Sequence, residues 1–226
     1  MNFFNFGKLG RTLVLAGVVA VSAVCWVGCG GDDNPSGGDN NGGNTNNSGN
    51  NNNGGGGSSE TVSLGGLKWM KKNLNVQAAD SWCYGNADSN CVKYGRLYTW
   101  EAAKSACQSV GMRLPSREEW GALAKAAGGT GDYGVGGTAG KALKSTSGWN
   151  HNGNGIDKYG FSALPGGSRT SDGSFYGAGR YGGWWTATGN GGSYAYYRDM
   201  YYYDDYVAEY GYDDKSYGYS VRCVKD

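Results

Sequence analysis

One stretch decides the fold of this chain: Tyr94–Ala127, which reads YGRLYTWEAAKSACQSVGMRLPSREEWGALAKAA. A first amphipathic helix is predicted to begin after Thr99, whose side-chain oxygen can cap free backbone N–H groups. Gly111 is predicted to end it. The apolar residues at helical spacing between these ends are Trp100, Ala103, Cys107 and Val110.

A second helix is predicted a few residues further on. Ser116 and Glu119 have the spacing of a capping box, and Pro115 comes just before them. Gly128 and Gly129 mark the predicted end. The apolar stripe of this helix consists of Trp120, Leu123, Ala124 and Ala127. Each helix therefore has one face to bury, and the first carries a cysteine on that face.

The order of these residues resembles the two-helix half of a C-type lectin-like domain. A wider set of motifs resembles the Fibrobacter succinogenes major paralogous domain, a family of bacterial surface lipoproteins related to lectin-like and formylglycine-generating folds. The motifs are WMKKNLNV, YGRLYTWEAAKSAC, RLPSREEW, KYGFSALPGG, WWTAT and YGYSVRCVKD, and they span about Leu64 to Asp226. The resemblance implies an α+β, C-type lectin-like domain over residues 60–226, with two helices, short antiparallel strands and long Gly-rich loops.

The first 28 residues are predicted to be a lipoprotein signal peptide. Lys8 and Arg11 precede an apolar run, Leu13–Val27, which is too short to span a membrane and is typical of an export signal. Small residues before Cys29 resemble a lipobox, which predicts that Cys29 becomes lipidated. The alternative is an ordinary cleaved signal with an unmodified cysteine.

Residues 29–59 are predicted to be the lipidated cysteine and a disordered linker. From Gly30 to Ser59 the chain is almost entirely Gly, Asn, Ser and Asp, which offer no apolar surface to offset the entropy of ordering. Such a linker has an end-to-end distance of roughly 30 Å. Gly30 after Cys29, followed by Asp32 and Asp33, favours the outer membrane and the cell surface, with the lipid anchor as the membrane contact.

The charge balance excludes one class of partner. The whole chain has a formal net charge of +1, and removal of Lys8 and Arg11 with the signal leaves 18 basic and 19 acidic groups. A domain so close to neutrality has no electrostatic basis for binding nucleic acid. We therefore expect no nucleic-acid partner.

Four cysteines remain in the predicted domain, and four cysteines allow three pairings. Disulfides persist in exported proteins. The spacing together with the lectin-like resemblance favours two disulfides, Cys83–Cys91 and Cys107–Cys223. The alternative for each pair is two buried free thiols.

No catalytic, metal or cofactor site is predicted. The one histidine, His151, lies in an Asn/Gly loop and is expected to be exposed, which leaves the usual zinc and triad patterns without a second histidine. The loop Asn150–Asp157 has oxygen-bearing residues at the alternate spacing of a calcium loop, but amides replace most carboxylates. A solvated turn is favoured there over a calcium site.

A tyrosine-rich segment, residues 193–219, is the strongest candidate for a ligand surface. Tyrosine gives large, stiff, amphipathic contact area at small entropic cost, and aromatic faces suit stacking on sugar rings. The alternative is that half of these rings simply pack across a sheet. The residues predicted to form the surface are Tyr201, Tyr202, Tyr203, Asp204, Asp205 and Tyr206.

The sequence thus favours a lipid-anchored binding or adhesion module for an extracellular polysaccharide or protein ligand. One rival is an enzyme of the formylglycine-generating type, whose relatives use a pair of C-terminal cysteines. Only Cys223 occupies that part of the chain, so an enzyme is not expected. A second rival is a structural display protein without a small ligand.

Overall fold

The structure is a computed structural model that describes residues 60–209 and 211–226. The predicted signal peptide, Cys29 and the linker lie outside these residues. The helices of the described part are α1 Asp88–Tyr94, α2 Trp100–Ser109, α3 Arg117–Ala126 and α4 Ala139–Leu143. Its strands are β1 Thr61–Leu64, β2 Leu67–Met70, β3 Ser81–Trp82, β4 Leu97–Tyr98, β5 Ser168–Arg169, β6 Phe175–Tyr176, β7 Tyr181–Asn190, β8 Tyr194–Tyr201, β9 Tyr212–Asp214 and β10 Val224–Lys225.

Helices α2 and α3 are the two helices that the sequence predicts. The Thr99 side chain accepts a hydrogen bond from the Ala102 N–H at the start of α2. At the start of α3, Ser116 and Glu119 form the complete capping box, in which each side chain accepts from the backbone of the other residue. Both helix starts are therefore fixed locally, as their sequences indicate.

Two further helices correct the expected count of two. Helix α1 contains Cys91 and follows a short 3₁₀ turn, Tyr84–Asn86. Helix α4 is short, and Leu143 at its end is fully buried in the core. The fold is thus mixed α and β, with four helices in the described residues and small antiparallel sheets.

The two ends of the domain meet in one sheet. Strands β1 and β2 form a hairpin, and β10 pairs antiparallel with β2 on its other side. Gly65 in the hairpin turn has φ +62°, and a Cβ there would lie 2.7 Å from the Leu123 backbone nitrogen of α3. Glycine at this position therefore allows the turn to contact helix α3.

A second sheet has the order β7-β8-β9 and separates two hydrophobic clusters. Trp184 and Trp185 are consecutive in β7 and are both fully buried. Because successive strand residues point to opposite faces, Trp184 packs in the cluster with Trp69 and Trp120, whereas Trp185 packs in the other. The central part of this sheet is consequently covered on both faces.

Both predicted disulfides are confirmed. Cys83 is bonded to Cys91, and Cys107 of α2 is bonded to Cys223, which directly precedes β10. The second bond joins residues 116 positions apart and lies in the cluster that contains Trp185. This disulfide therefore links helix α2 covalently to the C-terminal end of the domain.

Candidate ligand-binding cleft

An open cleft of about 510 Å³ lies at the side of the β7-β8 hairpin. Its lining comes from four separate parts of the chain. The lining residues are Ser168, Tyr176, Gly177, Arg180, Tyr181, Tyr197, Tyr201, Tyr202, Tyr203 and Tyr219. Seven of these ten residues are tyrosines, so the cleft presents ring faces and hydroxyl groups to solvent.

The register of β7 and β8 brings the first tyrosines together. Tyr181 is directly opposite Tyr201 in the antiparallel pair, and their ring centroids are 5.0 Å apart. Tyr197 and Tyr201 are four residues apart in β8 and therefore lie on the same face of the strand. Tyr219 from the C-terminal segment stacks on Tyr197, with centroids 4.8 Å apart and planes at 9°.

The hydroxyls of Tyr181, Tyr197 and Tyr219 hold their protons more tightly than an ordinary tyrosine does. Burial is the main cause that raises the pKa of Tyr197 and Tyr219 above the ordinary tyrosine value. The Tyr219 hydroxyl donates a hydrogen bond of 2.5 Å to the Asp213 carboxylate of β9. The Tyr197 hydroxyl consequently stays protonated at physiological pH, whereas the single donor hydrogen of Tyr219 is used by Asp213.

The chain leaves β8 at Tyr201, so Tyr202 and Tyr203 lie in a turn rather than in a strand. Tyr203 is 64% exposed, and its ring centroid is 5.3 Å from Tyr201 and 5.0 Å from Tyr202. On another side of the cleft, Tyr176 is 56% exposed. The most accessible rings of the cleft thus come from two different segments.

A buried lysine holds the turn that carries these rings. Lys144, which is 1% exposed, donates through Nζ to the Tyr201 carbonyl at 3.0 Å and the Asp204 carbonyl at 2.7 Å. Desolvation lowers its pKa. The backbone N–H of Lys141 in α4 donates to the Asp205 carbonyl at 2.9 Å. Helix α4 and the residue after it therefore fix the conformation of residues 201–205.

A carboxylate lies beneath the tyrosine rings. Asp199 is midway between Tyr197 and Tyr201 on the same face of β8 and is fully buried. Burial raises its pKa to about 7, while the Tyr201 hydroxyl and Arg198 act to lower it. Its negative charge in turn contributes to raising the pKa of Tyr181 and Tyr197.

The other face of β8 carries a separate charged cluster. Arg198 is fully buried and its Nη2 lies 2.7 Å from a Glu209 carboxylate oxygen. Arg117 of α3 bonds the same carboxylate, and its guanidinium lies between the rings of Tyr133 and Tyr196, at 4.0 and 4.2 Å from their centroids. This cluster ties α3 to the sheet and faces away from the cleft.

The structure brings together three of the six residues predicted to form the ligand surface. Tyr201, Tyr202 and Tyr203 line the cleft. Asp204, Asp205 and Tyr206 do not line it; the carbonyls of the two aspartates instead bind Lys144 and the backbone of α4. Tyr210 of the same segment lies outside the described residues.

Six further cleft side chains were not among the residues predicted from the sequence. They are Ser168, Tyr176, Arg180, Tyr181, Tyr197 and Tyr219, of which Tyr197 and Tyr219 belong to the tyrosine-rich segment. The stretch SFYGAGRYGG around Tyr176 and Tyr181 has a Gly/Tyr composition like that of the predicted surface. That composition is the one sequence signal that could have indicated that this stretch lines the cleft.

His151 is exposed as expected, and its ring centroid is 5.2 Å from that of Tyr202. In the Asn150–Asp157 loop, the Asn154 side chain accepts from the Trp149 N–H at 3.0 Å, and Asp157 accepts from the Ser162 N–H at 2.7 Å. These oxygens thus serve internal hydrogen bonds. Within residues 60–209 and 211–226, no group of three or more His, Cys, Asp or Glu side chains is placed to hold a metal ion.

Fold and cleft together define a disulfide-bonded, mixed α and β domain with an aromatic surface cleft. Over residues 62–225 the chain matches the model of the Fibrobacter succinogenes major domain, and it belongs to that family. No curated protein and no solved structure matches the chain significantly. In the part of the chain described here, no helix has the length and apolar composition needed to cross a bilayer.

Proposed function

We propose that this protein is a binding or adhesion module whose tyrosine cleft holds an extracellular polysaccharide. The observation that carries the proposal is the convergence of seven tyrosines on one open cleft. Its volume is within the range of small-molecule sites, roughly 300–1,000 Å³. Ring faces stack on the apolar faces of sugars, and the protonated hydroxyl of Tyr197 can bond a sugar hydroxyl.

The same proposal includes a C-type lectin-like fold for the domain. Two features support it: β10 joins the N-terminal hairpin in one sheet, and the Cys107–Cys223 disulfide links the central helix to the C-terminal segment. Sugar binding in this proposal does not depend on calcium, because the tyrosine cleft supplies the contacts.

A binding role also fits the state of the cysteines better than the formylglycine-generating alternative does. All four cysteines of the described residues are in disulfides, and Cys107 and Cys223 are fully buried. An enzyme that works through a pair of reactive thiols needs them accessible as thiolates. The arrangement here supports a structural role for both bonds.

The proposed location is the outer membrane at the cell surface, with Cys29 lipidated and residues 29–59 serving as a tether. Changing Cys29→Ser should release the protein from the membrane or leave an unprocessed precursor. Intact-mass analysis of the membrane-bound wild-type protein checks this directly. A mass without acyl chains would contradict the anchor and leave the cleft proposal standing.

The cleft is tested by screening the protein against an array of polysaccharides and measuring the affinity of Tyr203→Ala for any that bind. Because Tyr203 is largely exposed, the melting temperature of the Tyr203→Ala variant should differ little from that of the wild-type protein. Binding should weaken by on the order of 1–3 kcal/mol, on the scale known for bases stacked on aromatic rings. Tyr212→Ala is the matched control, since Tyr212 is 50% exposed and lies outside the cleft.

Equal effects of the two substitutions on binding would contradict the cleft as the site. Failure of every polysaccharide on the array to bind would favour the display protein without a small ligand.

A further inference from the structure

The position of Asp199 bears on which polysaccharide the cleft would prefer. Alternation along β8 places its carboxylate on the same side of the strand as Tyr197 and Tyr201, whose rings line the cleft. The side chain is nevertheless fully buried. A negative charge at this point therefore lies directly behind the ring surface that a ligand would contact.

The charges that face Asp199 come from several elements, and their balance is negative. Arg198 is its neighbour in β8, but that guanidinium is paired with Glu209 on the opposite face. Asp213 of β9 and Asp204 of the turn add two further carboxylates. The other titratable groups that line the cleft on this side are the hydroxyls of Tyr181, Tyr197, Tyr201 and Tyr219.

A cation is the ligand group that this arrangement favours. The face of a tyrosine ring attracts an ammonium group, and more strongly when the group is desolvated. A buried carboxylate acts on a nearby cation through a medium of low dielectric constant, so its attraction is screened much less than that of a surface charge. A carboxylated sugar would be repelled by the same group.

The one cationic residue that lines the cleft is Arg180, and it is exposed. Its field is therefore screened by water and salt over short distances. A ligand carboxylate could reach Arg180 only at the exposed part of the cleft, whereas an ammonium group stacked on the rings would lie over Asp199.

We propose that the cleft selects a polysaccharide that carries protonated amino groups, with Asp199 as the residue that sets this preference. The proposal rests on the proposed function of the cleft. The sugar rings stack on the accessible tyrosines, and the ammonium group lies against the ring faces above the Asp199 carboxylate. An N-acetylated sugar of the same length would keep the stacking and lose the charge attraction.

Calorimetry on the full-length chain in mild detergent tests the preference. Three ligands are compared at pH 7.5: a glucosamine tetramer with trimethylated nitrogens, which stays cationic at a pH where free glucosamine amines are largely deprotonated, an N-acetylglucosamine tetramer and a galacturonate tetramer. The glucosamine tetramer should bind at least tenfold more tightly than the acetylated one, and the galacturonate tetramer most weakly. Asp199→Asn should reduce the ratio between the first two ligands severalfold, while Asp132→Asn, an exposed carboxylate outside the cleft, should preserve it.

The trimethylated glucosamine tetramer also separates the charge of the ligand from that of the protein, because its charge does not change with pH. Asp199 ionises near neutral pH, so affinity for this ligand should rise severalfold between pH 6 and pH 8 in the wild-type protein. In Asp199→Asn the affinity should vary much less over the same interval. A flat profile in the wild-type protein would overturn the role of Asp199.

The outcomes distinguish this inference from the function on which it rests. Acetylated or acidic tetramers that bind as tightly as the amino tetramer would overturn the amino-sugar preference and leave polysaccharide binding intact. Binding of none of the tetramers would count against both.

Discussion

Arg222 and Asp199 are both fully buried, and they differ in how many hydrogen bonds compensate their loss of hydration. Arg222 is fully buried, and its guanidinium donates to the Asn73 side chain and to the carbonyls of Met70 and Ser162. Desolvation lowers its pKa to about 9, well above physiological pH, so the group stays charged and bonded. Asp199 has no comparable set of donors, and its pKa is raised to about 7.

The raised pKa of Asp199 makes stability depend on pH in a defined direction. The ordinary value of 3.8 applies to the unfolded chain. Between about pH 4 and pH 7 the native state therefore binds more protons than the unfolded state at this position, and the free energy of unfolding falls as pH rises. Above pH 7 the buried charge opposes folding.

Replacement Asp199→Asn removes that charge while keeping the shape of the side chain. At pH 8 the variant should be more stable than the wild-type protein, by on the order of 1–3 kcal/mol on the scale of 1.36 kcal/mol per pKa unit. At pH 4 the difference should be small. Urea unfolding at both pH values measures it, and Asp132→Asn controls for general charge effects. The same difference at both pH values would contradict a raised pKa at Asp199.

At the scale of elements, the turn after β8 depends on helix α4 for its shape. Residues 202–205 have no regular structure of their own, and Lys144 and Lys141 bond the carbonyl groups of Tyr201, Asp204 and Asp205. Gly140 makes this approach close, since a Cβ there would lie 2.4 Å from the Tyr206 carbonyl oxygen. Helix α4, which the sequence analysis did not predict, thus positions the exposed rings of the cleft.

Lys144→Met keeps most of the side-chain length and removes both hydrogen bonds to the turn. The free energy of unfolding should fall by about 1–3 kcal/mol, because two partly buried carbonyls lose a charged donor. Amide hydrogens of residues 202–206 should also exchange faster than in the wild-type protein. Lys158→Met, at an exposed position near α4, is the control. Unchanged exchange in the turn would show that Lys144 does not hold it.

The whole domain is closed by one long covalent loop. Cys107–Cys223 spans 116 residues, whereas Cys83–Cys91 spans only 8. The stabilisation expected from chain entropy grows with loop length, to about 4.7 kcal/mol for a loop of 100 residues. The long disulfide therefore carries a much larger share of a typical domain stability of about 5–15 kcal/mol.

Loss of each disulfide can be compared with alanine pairs. Cys107→Ala together with Cys223→Ala should lower the free energy of unfolding by about 2–5 kcal/mol, and Cys83→Ala with Cys91→Ala by clearly less. Denaturant unfolding of the two double variants measures the difference. A larger loss from the short bond would contradict the ordering by loop length.

The features that the sequence determined by itself are those encoded within a few residues or by covalent chemistry. The ends of α2 and α3 follow from Thr99 and from the Ser116–Glu119 capping box, because caps bond backbone groups within one helical turn. The cysteine pairing followed from spacing and from family motifs. The tyrosine-rich segment supplies five of the ten residues that line the cleft, and its role as a ligand surface stays a prediction.

Only the tertiary structure decided which tyrosines meet and which charge lies behind them. Tyr181 contacts Tyr201 because of the register of β7 and β8. Tyr219, whose ring also contacts that of Tyr181, lies more than thirty residues further along the chain. Strand register depends on partners far apart in sequence, and burial of Asp199 depends on everything packed over it. Neither has a local signal, so the sequence could predict a tyrosine-rich surface but could not define the cleft.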